Sequence, residues 1–178
     1  MSISKDTSGR LQAIAVRNIE FYRPEPGDIP WDLLVRGSAH HSLEKLEQIL
    51  DMDYTRVANR IEPAATIGVY SMQCIDAERF ELISVAVAPE VEHQLVGRRL
   101  LGHALGLAES KAAREVGLEI CADNLRALDT AERYGFARRE APNASGSTST
   151  PTLTSTLTST LRTTLTSTVA LRFELTPE

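Results

Sequence analysis

Apolar and polar positions recur along most of this chain with either a two-residue or a three-to-four-residue period, and those periods divide it into elements. Residues 19–23 read as a first strand, ended by Pro24, Pro26 and Gly27. Asp28 is expected to cap a helix with Pro30 in its first turn, carrying Trp31, Leu33, Leu34 and Val35. Ser42 starts a second helix expected to reach residue 52, with Leu43, Leu46, Ile49 and Leu50 on one stripe. Three strand-like runs follow at 54–61, 65–74 and 80–88, separated by turns short enough for an antiparallel meander. A long helix is expected over 96–116, turning Leu100, Leu101, Ala104, Leu105, Leu107 and Ala108 inward, with Gly117 closing it. Residues 118–122 read as a strand, 125–134 as a helix closed by Gly135, and 136–139 as the start of another strand. At the end Val169, Leu171, Phe173 and Leu175 alternate with Ala170, Arg172 and Glu174, the pattern of a half-buried last strand. The order β-α-α-β-β-β-α-β-α-β-β predicts an α+β fold with helices on both faces of one mixed, mostly antiparallel sheet.

The pattern breaks between residues 145 and 168, which are mostly Ser and Thr with Leu at 153, 157, 161 and 165. In an extended chain these leucines face one side. A long hairpin and a flexible insert both fit, because isolated leucines bury little to offset ordering. The expected organisation is an extension over 1–18, a domain over 19–140 plus 168–178, and a Ser/Thr-rich insert over 141–167.

Composition narrows the class. The 178 residues suit one hydrophobic core, and 42% apolar residues are ordinary for a globular protein. A net charge of −5 argues against nucleic acid, which needs a basic face. Cys74 and Cys121 lie in apolar runs and read as reduced, buried thiols. Neither they nor His93 and His103 have metal-ligand spacing. No apolar run approaches the roughly 18–20 residues that span a bilayer, and the first residues lack a signal-peptide core. The expectation is a cytoplasmic protein with no membrane partner.

The stretch from Glu81 to Pro89, a polar loop, and then Gly97 with Leu100 and Leu101 reads as strand, loop and helix. Such an order can hold a phosphate-bearing ligand at a helix N-terminus, with its arm along the strand. Val87 and Pro89 on one side and Leu100-Leu101 on the other align Glu92-His93-Gln94-Leu95-Val96-Gly97 with the pattern [RQ]-x-x-G-x-[GA]. A second register, starting at Gln94, recovers Gln94 and Gly97 with a two-residue insertion. Asn124-x-x-Ala127 followed by Gly135-Phe136 matches N-x-x-A-x-x-x-Y-x-x-x-G-F. On these strings the chain resembles the GNAT N-acetyltransferases.

The resemblance implies acetyl-CoA as co-substrate and direct acetyl transfer to an amine, on a small molecule or a peptide. It implies that the backbone of Glu92, His93, Gln94, Leu95, Val96 and Gly97 holds the pyrophosphate. Arg98 and Arg99 either reach phosphate oxygens or face solvent. The Val85 N–H would polarise the thioester carbonyl, Ala86 and Val87 would flank the pantetheine arm, and Asn124 would cap its helix and face that arm. Glu81 is either the general base or a solvated strand residue.

Departures from the pattern are specific. Only Gly97 matches in the loop. Glu92 sets a negative charge beside an anion, and Leu95 brings a side chain into the loop, at about 1–2 kcal/mol if the backbone is left-handed there. Ala131 stands where the family carries Tyr, and Tyr134 reads as packing. His40 and His41 fall between the first two helices, the border of the acceptor side in this fold. Three readings stand: an N-acetyltransferase with weakened cofactor binding, a degenerate binding or interaction module, and a Ser/Thr repeat that itself carries the biology as a modified or adhesive segment. The residues do not name the acceptor or the oligomeric state.

Overall fold

The computed structural model describes residues 18–62, 64–91, 95–139 and 168–175. All but the last residue of the expected extension over 1–18, most of the Ser/Thr repeat, and Glu92, His93 and Gln94 lie outside the described residues. The elements in chain order are β1 (Ile19–Tyr22), α1 (Trp31–Gly37), α2 (Leu43–Ile49), β2 (Thr55–Arg60), β3 (Ala65–Cys74) and β4 (Arg79–Val87). They continue with α3 (Val96–Glu109), β5 (Glu115–Cys121), α4 (Leu125–Tyr134), β6 (Ala137–Arg138) and β7 (Thr168–Glu174). The strands form one sheet in the order β1-β2-β3-β4-β5-β7-β6. Every neighbouring pair is antiparallel except β4 and β5. That parallel pair requires a crossover, and α3 supplies it. The predicted α+β architecture is the observed one.

Alternation along the strands gives the sheet two apolar faces. Val57, Val69, Ile83 and Ala86 meet Leu33 and Leu34 of α1 and Leu46 of α2. Ala58, Tyr70, Phe80 and Leu82 meet Leu100, Ala104 and Leu105 of α3 and Leu128 of α4 on the opposite face. Ser84, a buried polar residue on β4, donates its hydroxyl to the carbonyl of Leu34 at 2.7 Å. That bond satisfies a group costly to bury alone and pins α1 to β4. His103, read above as lacking metal partners, has its Nδ1 2.7 Å from the Tyr70 hydroxyl and stacks on Phe21.

Boundaries differ from expectation at several points. Helix α3 stops at Glu109 instead of 116. The Ala113 N–H reaches the Ala108 carbonyl and the Ala112 N–H reaches that of Glu109, with Ala112 at φ 60°. This closure normally carries glycine, and alanine there hides the helix end from a sequence reading. Gly117 is therefore no cap; it lies inside β5, opposite Glu81 and Arg172. Ala112→Gly is expected to raise stability by about 0.5–1 kcal/mol, the left-handed cost of a Cβ less glycine's extra chain entropy. A shift of the urea midpoint at unchanged slope checks it.

Asp28 does not cap α1; it ends a 3-10 turn, Pro26–Asp28, and Pro30 occupies the cap position. Helix α2 ends at Ile49, since Asp51 turns the chain by accepting the Asp53 N–H. Both cysteines are free, as expected, but Cys74 is exposed and Cys121 half-buried. Cys74 sits at the last position of β3, beyond the cover of the helices. Phe136 is core but precedes β6, which is only two residues long.

Candidate active site

Strands β4 and β5 begin together and then part. Their register runs through four pairs, from Arg79↔Glu115 to Leu82↔Leu118, and stops. Beyond it β4 stays with β3 up to Gly68↔Val87, while β5 stays with β7 up to Cys121↔Thr168. The divergence coincides with an irregularity in β4: Ser84 faces Ser71 and Leu82 faces Met72, so Ile83 has no opposite number. A bulge of this kind bends a strand and increases its twist.

The gap is a cleft of about 370 Å³. Its walls are Val85, Ala86 and Val87 on β4, Leu118 to Cys121 on β5, and Asn124, Ala127 and Ala131 at the start and middle of α4. Leu95, Gly97 and Arg98 at the N-terminus of α3 close one end. Of the described residues read above as cofactor-facing, Val96 and Arg99 do not line it. Val96 is 1% exposed in the core, and Arg99 is a solvent-facing residue of the first turn. Asn124 caps α4, accepting the Ala127 N–H at 3.1 Å.

Leu95 has φ −31° and ψ 19° and caps α3 without a side-chain hydrogen bond. It is not left-handed, so the strain expected there does not arise. Its side chain is 60% exposed at the rim. Ala131 presents only a methyl group to the cleft wall. Tyr134 packs its hydroxyl over Gly102 of α3, in the interhelical contact, which accounts for it as packing.

A second cavity, of about 340 Å³, opens on the α1–α2 face, lined by His40, His41, Gln73, Glu81, Glu115, Glu119 and Arg139 among others. Ala39 and Glu119 line both cavities. Glu81 faces Gly117 across the sheet, and its carboxylate lies where a side chain at 117 would go. The β5 residues two before and two after Gly117 are Glu115 and Glu119, so three carboxylates share one face. Partial burial pushes the Glu81 carboxyl upward from its ordinary range; Glu119 and Glu115 add to this, and Arg139 opposes it. Glu119 Oε2 lies 3.3 Å from His40 Nδ1, and the His40 and His41 rings lean together with centroids 4.3 Å apart.

The α1–α2 connection crosses the parted strands. A Cβ on Gly37 would stand 2.6 Å from the Val85 carbonyl carbon and 2.7 Å from Ser84 Oγ, so only glycine permits this approach to β4. On the other lip Cys121 Sγ donates to the Ala39 carbonyl at 3.1 Å. Gly37, Ser38, Gly117, Glu115 and Glu119 were not singled out as site residues from sequence. The Glu-x-Gly-x-Glu alternation at 115–119 is a readable signal only once β5 is known to start at Glu115. Among the described residues no group of three or more His, Cys, Asp or Glu is placed to hold a metal.

The sequence model of the acetyltransferase (GNAT) family matches residues 27–136, more than half of the chain. No curated protein sequence matches. Among solved structures, a GNAT family acetyltransferase from Elizabethkingia anophelis with acetyl-CoA bound is 22% identical, with a TM-score of 0.65, covering 89% of this chain and 99% of its own. Ard1 from Thermoplasma volcanium is 14% identical with a TM-score of 0.67, covering 90% and 99%. The ribosomal-protein-S18-alanine N-acetyltransferase from Escherichia coli is 17% identical with a TM-score of 0.65, covering 90% and 96%. At these identities the likeness is one of fold. The match of the family's sequence model across the parted strands and the helices around them shows that this chain belongs to the GNAT family of acetyltransferases.

Proposed function

We propose that the protein is an acetyl-CoA-dependent N-acetyltransferase that moves the acetyl group directly to an amine. One observation carries this reading: the cleft between β4 and β5 is open and adjoins, at Ala39 and Glu119, a cavity that contains Glu81. The residues present suit the co-substrate. The β4 residues beyond Leu82 have no β5 partner, so their edge is free to pair with an extended arm. The N-terminus of α3 has no side-chain cap, and its N–H groups favour a phosphate, with Arg98 at the rim. When bound, acetyl-CoA supplies a thioester as acyl donor. Val85 offers its N–H to the carbonyl oxygen, Ala86 and Val87 flank the arm, and Asn124 faces it from the start of α4. Glu81, its carboxyl raised toward neutrality by burial, takes the proton of the incoming ammonium, directly or through water.

The acceptor we assign is an amine on a small molecule or peptide, since carboxylates predominate around Glu81. We place the enzyme in the cytoplasm, where an exposed free thiol such as Cys74 stays reduced. The domain over 19–140 plus 168–178 carries the whole of this chemistry. A degenerate binding module is the second reading, favoured by Ala131 at the cleft wall and by Leu95 at its rim.

Thermal unfolding with added acetyl-CoA separates the two. At a hundredfold excess over Kd the ligand is expected to stabilise the protein by about 2.7 kcal/mol, a rise of several degrees in Tm. An unmoved transition at millimolar acetyl-CoA would leave the second reading standing.

A further inference from the structure

The connection between α1 and α2 does more than border the site. With Gly37 at the end of α1 resting on Val85 and Ala39 held by Cys121, it forms a partial partition between the cofactor cleft and the acceptor cavity, which still meet at Ala39 and Glu119. A hydrogen bond between two side chains runs along that partition. Ser38 lines the cleft, His41 lines the cavity, and Ser38 Oγ lies 3.0 Å from His41 Nδ1. The same oxygen accepts the His41 backbone N–H at 2.9 Å, so the pair is fixed from two directions. Across the cleft, Ala127 and Ala131 have no proton to give, and the Thr130 hydroxyl donates to the Arg126 carbonyl at 2.8 Å.

We propose that Ser38 and His41 form a proton relay through this partition, from the reacting amine nitrogen to the departing sulfur. This rests on the acetyl-transfer reading above. Glu81 first takes one proton from the ammonium. The amine nitrogen then bonds to the acetyl carbon, and the carbon–sulfur bond breaks, leaving one proton too many on nitrogen and one too few on sulfur. His41 Nε2 takes the proton from nitrogen, Nδ1–H passes its proton to Ser38 Oγ, and the Ser38 hydroxyl proton goes to sulfur. The products are an amide, a free thiol and a protonated Glu81, so atoms and charge balance. His41 returns to its starting tautomer by exchange with water.

The direction of transfer requires a neutral His41 protonated on Nδ1. A serine oxygen has two lone pairs, so it can accept the backbone N–H and the Nδ1–H together and keep its own O–H for the cleft. Burial and the neighbouring His40 ring lower the His41 pKa and favour the neutral imidazole; Glu119 opposes them, and Lys45 adds to them.

The first test needs no turnover. Nitrogen-15 NMR of the His41 ring, with the protein free and saturated with CoA, is expected to show the Nδ1–H tautomer in the CoA complex. A bare Nδ1 in that complex overturns the relay. The second test follows thiol release from acetyl-CoA over a panel of primary amines and peptides. Ser38→Ala and His41→Gln are each expected to lower kcat roughly 100-fold, with the calorimetric Kd for acetyl-CoA within about twofold of wild type. Their double variant is expected to lose no more than either alone, because both break one chain. Ser38→Thr keeps the hydroxyl and is expected to restore most of the rate. If Ser38→Thr is folded yet as slow as Ser38→Ala, the hydroxyl is not the carrier and the relay fails. Full activity in either single variant overturns the relay and leaves acetyl transfer intact. A wild-type protein that releases no thiol with any amine overturns acetyl transfer, and the relay with it.

Discussion

Glu81→Gln is expected to lower kcat by roughly 100-fold or more while raising the melting temperature at pH 7. Both effects have one cause. Burial, with Glu119 and Glu115 nearby, lifts the Glu81 carboxyl above its ordinary range in the folded state. The fold therefore disfavours the charged form that a base needs. A carboxyl raised on folding contributes stability that is complete below its unfolded pKa and is lost as pH rises through the folded value. As pH rises through that folded value the wild-type protein loses it, whereas glutamine stays neutral and keeps it. The gap in Tm should close as pH falls below the usual carboxylate range. The rate should follow the ionised fraction, so the acid limb of the wild-type profile sits above the position of an ordinary glutamate. Thiol-release assays across pH, paired with melting curves, check both signs. A Gln variant with wild-type rate would remove Glu81 from the mechanism.

The second large effect is expected from a residue without a side chain. Gly117→Ala puts a methyl group into the space held by the Glu81 carboxylate. What it meets is the end of a flexible side chain, not backbone, so the carboxylate swings aside and the sheet survives. The expected result is a loss of kcat of about 10- to 100-fold, approaching that of Glu81→Gln, with a folded protein and an unaltered Kd for acetyl-CoA. Circular dichroism, calorimetry and the thiol assay together test it. Unchanged kcat would mean that the carboxylate has no fixed working position.

Much of this fold is legible in sequence because its elements bury one face each. Leu100, Leu101, Ala104, Leu105 and Ala108 keep helical spacing, and all five are core. Asn124 and Gly135 mark both ends of α4 by chemistry that sequence states openly, a side-chain cap and a glycine at φ 113°. The end of α3 was hidden because Ala112 holds a conformation usually given to glycine. That one error moved the start of β5, and with it the three carboxylates of the site. Gly37 and Ser38 were hidden for another reason. Their importance lies in which strands the connection crosses, and local sequence carries no trace of a contact between residues 37 and 85. The loop glycines, by contrast, invited too strong a conclusion at Leu95, where the backbone needs no glycine.

Mechanically, the seven strands make two laminates. Four antiparallel strands, β1 to β4, form one, and β5, β7 and β6 form the other. Within the sheet the described strands of the two are laddered together only where Arg79 to Leu82 run beside Glu115 to Leu118, with the core under α3 and α4 backing the joint. A long molecule lying in the notch beyond those rungs acts as a rivet, so occupancy and stiffness rise together. Amide exchange along that seam should then slow most when the donor is abundant, making the enzyme's rigidity a gauge of its own supply.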